Sequence, residues 1–375
     1  MNETHYRTTI LHITEVSSGG VLPVIISLCN GCADEYDIYF AYGIRPDTPN
    51  NIEELFDKRI KIIKISSFTR NLNIRQDLKA AKEIKDIIRK IHPDIIHFHS
   101  TKAGFVGRLS TIFYKGKKLY TPHGYSFLKQ DENRVKREIY KIVEYLLAKT
   151  GSITVACGER ELKEAKKIDR KAICIENGID TTYIDSLVNS STLEKHHFTI
   201  YTAGRIGPQK NPWMFNEIAK RFSDIQFVWI GGGKEEELHA GNITVTGFVA
   251  RDDVIRFADG YDCYLSCSLW EGLPIALEEA MYMGKICIVS NIPGNNELID
   301  NECGFLFRDI AECEEQIRYV LNSREPMEYG NKAKRKIIEK YTQKDMLNKY
   351  KKLIGGGNAL DNYMPLSVRS MEIAA

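Results

Sequence analysis

The sequence predicts an α/β protein of two doubly wound domains, each a parallel sheet covered by helices on both faces. Three observations predict it. Short apolar runs rich in Val, Ile and aromatic residues recur along the chain, and most are continuous rather than alternating, as strands covered on both faces require. Helical periodicity separates these runs, the mark of βαβ units. The 375 residues exceed one comfortable core and suit two.

The first series of strands is read at 8–14, 37–42, 61–65, 94–99, 117–122, 152–157 and 171–176. A second follows at 198–204, 225–231, 243–248, 261–267, 285–290 and 304–307. Between them, RQDLKAAKEIKDIIRKI (75–91) sets Leu78, Ala81, Ile84, Ile87, Ile88 and Ile91 on one helical face, and Pro93 stops it. REIYKIVEYLLAKTG (137–151) has the same character, with Gly151 as its expected C-cap. Asn177-Gly178 and the Asn-Ser-Ser-Thr stretch that follows mark a boundary within 176–197. The expected organisation is an N-terminal domain over 1–178, a C-terminal domain over 179–354 whose last helix is able to pack back on the first, and a flexible tail over 355–375. No repeat of 20–50 residues is present.

Hydrophobic residues make up 43% of the chain and charged residues 27%, an ordinary globular composition. A net charge of +2 argues against nucleic acid as a partner. Nine cysteines, an odd count, lie mostly inside apolar runs, which fits reduced buried thiols. Cys29-x-x-Cys32 has no second pair at zinc spacing. The start shows no signal-peptide pattern, and VLPVIISLC (21–29) is far short of a membrane span, so the expectation is a cytoplasmic protein.

Doubly wound domains bind ligands at the carboxyl ends of their strands, so the loops there matter most. After FTIYTA comes GRIGPQK, which presents Arg205 and Lys210 from one glycine-rich loop; two such cations suit a diphosphate. After IQFVWI, Gly231-Gly232-Gly233 reads as a turn opening a helix, a weak anion site because three acidic residues follow. After YDCYLSC comes SLWEGLPIALEEAM, with Glu271 and Glu279 eight apart. Pro274 begins a helix over 274–283, leaving Glu271-Gly272-Leu273 as loop, while Glu278 points about 100° away from Glu279. One carboxylate accepts two sugar hydroxyls, so two carboxylates can hold two sugar rings; the bland alternative is a solvated helix face. His97 and His99 share one face of a strand, His99 near its carboxyl end. With no third ligand apparent, no metal site is expected.

In this order the motifs resemble the retaining glycosyltransferases of family 4, with the GT-B fold. The resemblance rests on E-x7-E within EGLPIALEEAM, on G-R-x4-K before it and on PGNNELI after it. SSGGV, PDIIHFHSTKAG, TPHG, ENGID, VTGFV and GFLF add to it, in order, over roughly residues 10–345. It implies that Glu279 holds the ribose hydroxyls, that Glu271 with the backbone of Gly272, Leu273 and Pro274 holds the donor sugar, and that Arg205 and Lys210 hold the diphosphate. Backbone around Gly247, Phe248 and Val249 would meet the base, and His123 the sugar's outer hydroxyl. Gly19 and Gly20 would let the first loop approach the phosphates. Asn211 and Trp270 depart from the family, Asn211 standing where a glycine is common.

No D-x-D occurs in the chain, so Arg205 and Lys210 are expected to neutralise the leaving diphosphate without a metal, and no cofactor is expected. No carboxylate pair stands out for double displacement; retention comes from the resemblance alone. His99 and Lys102 are candidate acceptor contacts. Residues 113–141 mix Lys and Arg with Phe113, Tyr114, Tyr120, Tyr125, Phe127 and Tyr140, which suits an anionic membrane surface, the alternative being core aromatics beside a solvated cationic face. The expected activity is transfer of a hexose or N-acetylhexosamine from a nucleotide sugar, UDP-linked, to a lipid-linked saccharide of a capsule or O-antigen, at the inner face of the cell membrane. A nucleotide-sugar 2-epimerase of the same fold and a non-catalytic nucleotide-sugar-binding subunit are the alternatives. A dehydrogenase is disfavoured by the lack of G-x-G-x-x-G after the first strand.

Overall fold

The computed structural model describes residues 7–15, 19–45, 48–69, 73–130, 132–188, 197–323 and 326–356. Ser17 and Ser18, most of the 355–375 segment and residues 189–196 of the boundary stretch lie outside the described residues. The chain divides into two units, Met1–Glu176 with Met346–Ala375, and Asn177–Asp345.

Unit 1 holds strands β1 (Thr9–Thr14), β2 (Asp37–Tyr42), β3 (Lys61–Lys64), β4 (Ile95–His99), β5 (Lys117–Thr121), β6 (Ile153–Ala156) and β7 (Ile173–Cys174). They form one sheet in the order β3-β2-β1-β4-β5-β6-β7. Unit 2 holds β8 (Thr199–Ala203), β9 (Gln226–Ile230), β10 (Ile243–Val245), β11 (Cys263–Ser266), β12 (Ile286–Ser290) and β13 (Phe305–Phe307), in the order β10-β9-β8-β11-β12-β13. Every pairing is parallel. Each sheet therefore reverses its winding beside its first strand, between β1 and β4 and between β8 and β11. Loops diverge there and leave a crevice at the strands' carboxyl ends.

In unit 1, Leu11, Ile13, Ile96, Phe98 and Tyr120 pack against Ala80, Ile84, Ala103 and Val106. In unit 2, Ile200, Phe227, Trp229, Leu265 and Ile288 pack against Phe215, Ile218, Ile317 and Val320. Each such large apolar side chain contributes about 1.5–3 kcal/mol when fully buried. The helix Thr101–Ser110 lies close on its sheet because Gly104 and Gly107 face the rings of Tyr120 and Phe98, where any side chain would collide. The helix Gln343–Ile354 completes unit 1. Lys349 pairs with Glu176 and Lys351 with Glu35, both at 2.6 Å, and Leu347 fills the space that Gly31 leaves open.

Local expectations fail at four points. The helix Ile74–Ile91 buries Asp77, Ala80 and Ile84, and Leu78 is exposed, because its position falls outside the stripe that meets the sheet. The helix Arg134–Ala148 is capped by Lys149 in a right-handed conformation, and Gly151, at φ 86°, turns the chain two residues later. Pro274 is the extended cap of the helix Ile275–Tyr282 rather than its first residue. Gly231–Gly233 open no α-helix, since only a single 3-10 turn, Glu235–Glu237, follows. These glycines serve backbone contact instead. A side chain at Gly231 would strike the Gly204 carbonyl, and one at Gly233 the Ile206 carbonyl, where the two loops run side by side.

All nine cysteines are buried and unpaired with one another. One buried ion pair ties two helices of unit 1 together. Arg108 donates to Glu144 at 2.6 Å and to the Gly104 carbonyl at 2.8 Å, and its guanidinium lies 3.9 Å from the Tyr120 ring centre. The Tyr120 hydroxyl donates to the same carboxylate at 2.9 Å. Arg108→Ala leaves Glu144 charged and buried without its cation, so it should destabilise unit 1 by about 3–5 kcal/mol. The midpoint of urea denaturation followed by far-ultraviolet circular dichroism measures this, and an unchanged midpoint would show that the pair carries nothing.

Candidate functional site

In unit 2 the crevice between β8 and β11 gathers the loops that follow these strands. Lys210, after β8, donates to Glu271, after β11, at 2.7 Å, with both side chains largely buried. Ser268 donates to the same oxygen at 2.8 Å, and Gln209 reaches the other at 3.1 Å. Backbone bonds close the seam: Leu269 donates to the Gln209 carbonyl at 2.8 Å, and the Gln209 side chain donates to the Trp270 carbonyl at 3.0 Å. Burial alone would lower the Lys210 pKa, but the adjacent Glu271 carboxylate reverses this and holds the ammonium charged. A carboxylate offers about four lone-pair positions. These three bonds leave Glu271 Oε2 able to accept one more donor, such as a sugar hydroxyl. Arg205 stands on the same loop as Lys210 and is exposed.

Asn211 follows Lys210 at φ 52°, a left-handed conformation that glycine adopts freely and Asn tolerates. Its side chain caps the helix Pro212–Lys220 by accepting from the Met214 N–H at 3.4 Å. Asn thus serves at a turn whose conformation glycine would also adopt. Gly294, at φ 91°, brings the 291–296 turn against the Gly272 carbonyl, and the Asn177 side chain donates to the Leu273 carbonyl at 3.4 Å. The Glu271-Gly272-Leu273 loop is thus held from three sides.

Glu279 and Glu278 are both buried, so this helix is not a solvated face. Arg251, first residue of the helix Arg251–Asp259, donates to Glu279 at 2.8 Å. Burial raises the Glu279 pKa and Arg251 partly opposes it. Gly247 turns at φ 70°, Phe248 beside it is exposed and Val249 is half-buried.

In unit 1 the corresponding crevice holds imidazoles. His12 on β1 lies beside His97 on β4 in register, and the ring nitrogens of His12, His97 and His99 all lie within 4.8 Å of one another. The third imidazole expected to be missing is therefore present, on the neighbouring strand, and such a trio has the donor set of a transition-metal site. The nitrogens are engaged with one another: His12 Nδ1 and His99 Nε2 are 3.0 Å apart, His99 Nδ1 and His123 Nε2 3.2 Å, and His97 Nε2 lies 2.8 Å from the Thr121 hydroxyl. Burial lowers the pKa of His12 to about 3 and of His123 to about 4. It also lowers those of His97 and His99, helped by the neighbouring rings.

His123 adopts φ 51°, and its turn is pinned by the buried Glu161, which accepts from the Gly124 N–H at 2.7 Å and the Cys157 N–H at 2.8 Å. Lys102 is in the first turn of the helix Thr101–Ser110. It is buried and paired with Asp77 at 2.9 Å, so its charge is already matched. Gly19, at φ 63°, and Gly20 precede the helix Val21–Cys32 with open space around them.

Comparison with known proteins agrees with this architecture. The fold matches a sucrose-phosphate synthase from Thermosynechococcus elongatus with a TM-score of 0.80 at 16% identity, over 93% of this chain and 98% of that one. It also matches the Anabaena protein Alr3699/HepE, solved with UDP and glucose, with a TM-score of 0.76 at 15% identity, over 94% and 100%. These are GT-B glycosyltransferases, and the two Rossmann-like sheets described above are that fold. The model of Glycosyltransferase Family 4 matches residues 18–183 and that of Glycosyl transferases group 1 matches residues 184–344, and the chain belongs to this family of glycosyltransferases. Among curated relatives, the UDP-Gal:alpha-D-GlcNAc-diphosphoundecaprenol alpha-1,3-galactosyltransferase of Escherichia coli is 27% identical over 339 residues, 82% of this chain and 85% of its own. A 41.2 kDa protein of the cps region of Klebsiella pneumoniae is 25% identical over 364 residues, 91% of this chain and 98% of its own.

Sequence reasoning missed His12 and Arg251. Each lacks a local motif and meets its partner only across the fold. The raised pKa of Glu279 carries a pH signature. A carboxyl whose pKa is higher folded than unfolded costs stability as pH rises from the ordinary carboxylate value through the folded one. Glu279→Gln removes that cost. The melting temperature of the variant relative to wild type should rise with pH across this window and level off above it. A difference that is flat with pH would show that Glu279 titrates normally.

Proposed function

We propose that this glycosyltransferase moves a hexose or N-acetylhexosamine from a UDP-sugar to a lipid-linked saccharide, with retention of configuration and without a metal. The Lys210–Glu271 pair carries the reading. It sets a buried cation, held charged, beside a carboxylate with one accepting position left, the two functions needed to neutralise a departing diphosphate and to grip the sugar attached to it. Arg205, on the same loop, adds the second positive charge. Glu279, oriented by Arg251, takes the ribose hydroxyls. The backbone of Gly272, Leu273 and Pro274 faces the sugar, and that of Gly247, Phe248 and Val249 the base, while His123 meets an outer sugar hydroxyl. Gly19 and Gly20 leave room for phosphates at the start of a helix. The Escherichia coli relative, named for UDP-Gal and a diphosphoundecaprenol-linked acceptor, supports the choice of donor and acceptor class. The relative from a cps region supports a role in surface polysaccharide. His99 is buried and Lys102 is paired, so neither is kept as an acceptor contact.

A surface on unit 1 supports membrane docking. Most of the 113–141 aromatics face inward: Tyr120, Tyr125 and Phe127 are buried in the core, with Tyr114 and Tyr140 packed against it. The apolar outer face comes instead from the helix Arg134–Ala148, whose Val135, Ile139, Ile142 and Leu146 form one exposed stripe at helical spacing. Arg134, Lys136, Arg137, Lys141 and Lys149 flank it, and Phe113 is 95% exposed. An apolar stripe edged with cations is what an anionic interface takes up. Among the described residues no helix is long and apolar enough to cross a membrane.

Two sets of experiments test this reading, one on the donor reaction and one on the membrane surface. A UDP-sugar at 100 times its Kd should stabilise the protein by about 2.7 kcal/mol in EDTA, seen as a thermal shift that Glu279→Ala and Arg205→Ala lose. The same sugar should be transferred to a diphospholipid-linked saccharide in EDTA. Activity lost in EDTA and restored by magnesium would overturn metal independence, and interconversion of the free nucleotide sugar would favour an epimerase. In the second, wild type should co-sediment with vesicles containing phosphatidylglycerol and not with phosphatidylcholine alone, and Ile139→Asp/Ile142→Asp should stay in solution. Equal binding by both proteins would remove the helix from the interface.

A further inference from the structure

The hydrogen-bonded imidazoles of unit 1 have a consequence for the His123 ring. A neutral imidazole carries one N–H and one lone pair, on different nitrogens. Burial disfavours the charged form of His12, His99 and His123 and lowers the pKa of each, so each ring is taken as neutral. Through the contacts His12 Nδ1···His99 Nε2 at 3.0 Å and His99 Nδ1···His123 Nε2 at 3.2 Å, only two proton arrangements satisfy both bonds. In one, all three rings carry hydrogen on Nδ1: His12 donates to His99, His99 donates to His123, and His123 presents an Nδ1–H beyond the chain. In the other, all three carry hydrogen on Nε2: His123 donates to His99, His99 donates to His12, and His123 presents a bare Nδ1 lone pair.

We propose that His12 and His99 are positioning residues that fix the tautomer of His123, and with it whether the Nδ1 end of that ring donates to or accepts from a substrate hydroxyl. Three features of the fold support this. The β1–β4 pairing holds the first two rings, with His12 opposite His97 and Thr14 opposite His99 in register. His97, although its ring lies against that of His99, makes its hydrogen bond to Thr121 Oγ1 rather than to another ring. His123 sits in a left-handed turn, a strained conformation for a non-glycine residue that persists only where the surroundings enforce it. Glu161 enforces it through the N–H of Gly124. The ring is thus aimed by the turn, and its hydrogen-bonding sense is set from within the sheet.

The proposal rests on the reading of His123 as a substrate contact, but its test does not need substrate. Long-range 1H–15N correlation spectra of the 15N-histidine-labelled full chain distinguish protonated from bare ring nitrogens. The expected wild-type result is one and the same tautomer for His12, His99 and His123; a mixed set overturns the relay. His12→Phe, which can neither donate nor accept, should shift His123 from one tautomer to a mixture, whereas an unchanged His123 would reduce His12 to a packing residue. Should His12→Phe fail to fold, the wild-type spectrum alone decides. Adding UDP-sugar then separates the two claims. A shared tautomer with a His123 resonance that moves on binding supports both. A shared tautomer with a His123 signal indifferent to the donor keeps the relay and removes the sugar contact.

Discussion

The contact between Lys210 and Glu271 is the constraint from which the rest of unit 2 takes its shape. Neither charge would be stable so far from water alone, since a buried ion without a partner costs several kcal/mol. Together they fasten the loop after β8 to the loop after β11 across the point where the sheet reverses its winding. The surrounding sequence serves that junction. Gly204 leaves room for the Lys210 stem, Asn211 turns the chain into the next helix, Ser268 completes the carboxylate, and Ser290 donates to the Ser268 carbonyl at 2.6 Å from the neighbouring strand end. The result is a pair of opposite charges held in place by the hydrogen bonds around it.

Unit 1 meets the same topological opening in a different way. At its reversal point the strand ends carry neutral rings, and the nearby charges are internally matched. Glu15 accepts from the Ala103 N–H at 3.0 Å and from Ser100, and lies 3.4 Å from Arg45. Lys102 is matched by Asp77. One sheet thus presents fixed charge and the other a neutral hydrogen-bonding surface.

Much of this was readable in the chain. Strands buried on both faces announce themselves as unbroken apolar runs, so all thirteen were placed to within a few residues, although the 171–176 run shrank to Ile173–Cys174. Loop residues punctuated by glycine and proline, such as Arg205, Lys210 and Glu271, were equally visible, since the carboxyl ends of strands single them out. What stayed hidden depends on contacts between distant segments. His12 and His99 are 87 residues apart and Arg251 and Glu279 are 28 apart, and nothing local in either member points to the other. The glycines at 231–233 misled for the same reason. Glycines followed by acidic residues look like the mouth of a helix, yet they answer to the carbonyls of Gly204 and Ile206 in an adjacent loop. In the 113–141 segment, composition gave the amphipathic character but not its orientation. Tyr120, for one, turns inward to meet the Arg108–Glu144 pair, a contact no local pattern announces.

The helix Gln343–Ile354 gives the chain an unusual order of assembly. Unit 2 is continuous, whereas unit 1 needs Tyr350 beside Thr121, Leu347 over Gly31, and the lysines that reach Glu35 and Glu176, all supplied after residue 345. On the ribosome, domains generally form in the order in which they emerge. Here the unit that emerges first is the last to be finished, because its closing element is made after the whole of its neighbour. A premature stop late in the message would therefore spare the Lys210–Glu271 junction and strike the opposite end of the sequence, leaving the face of the first sheet that carries the imidazoles open to water.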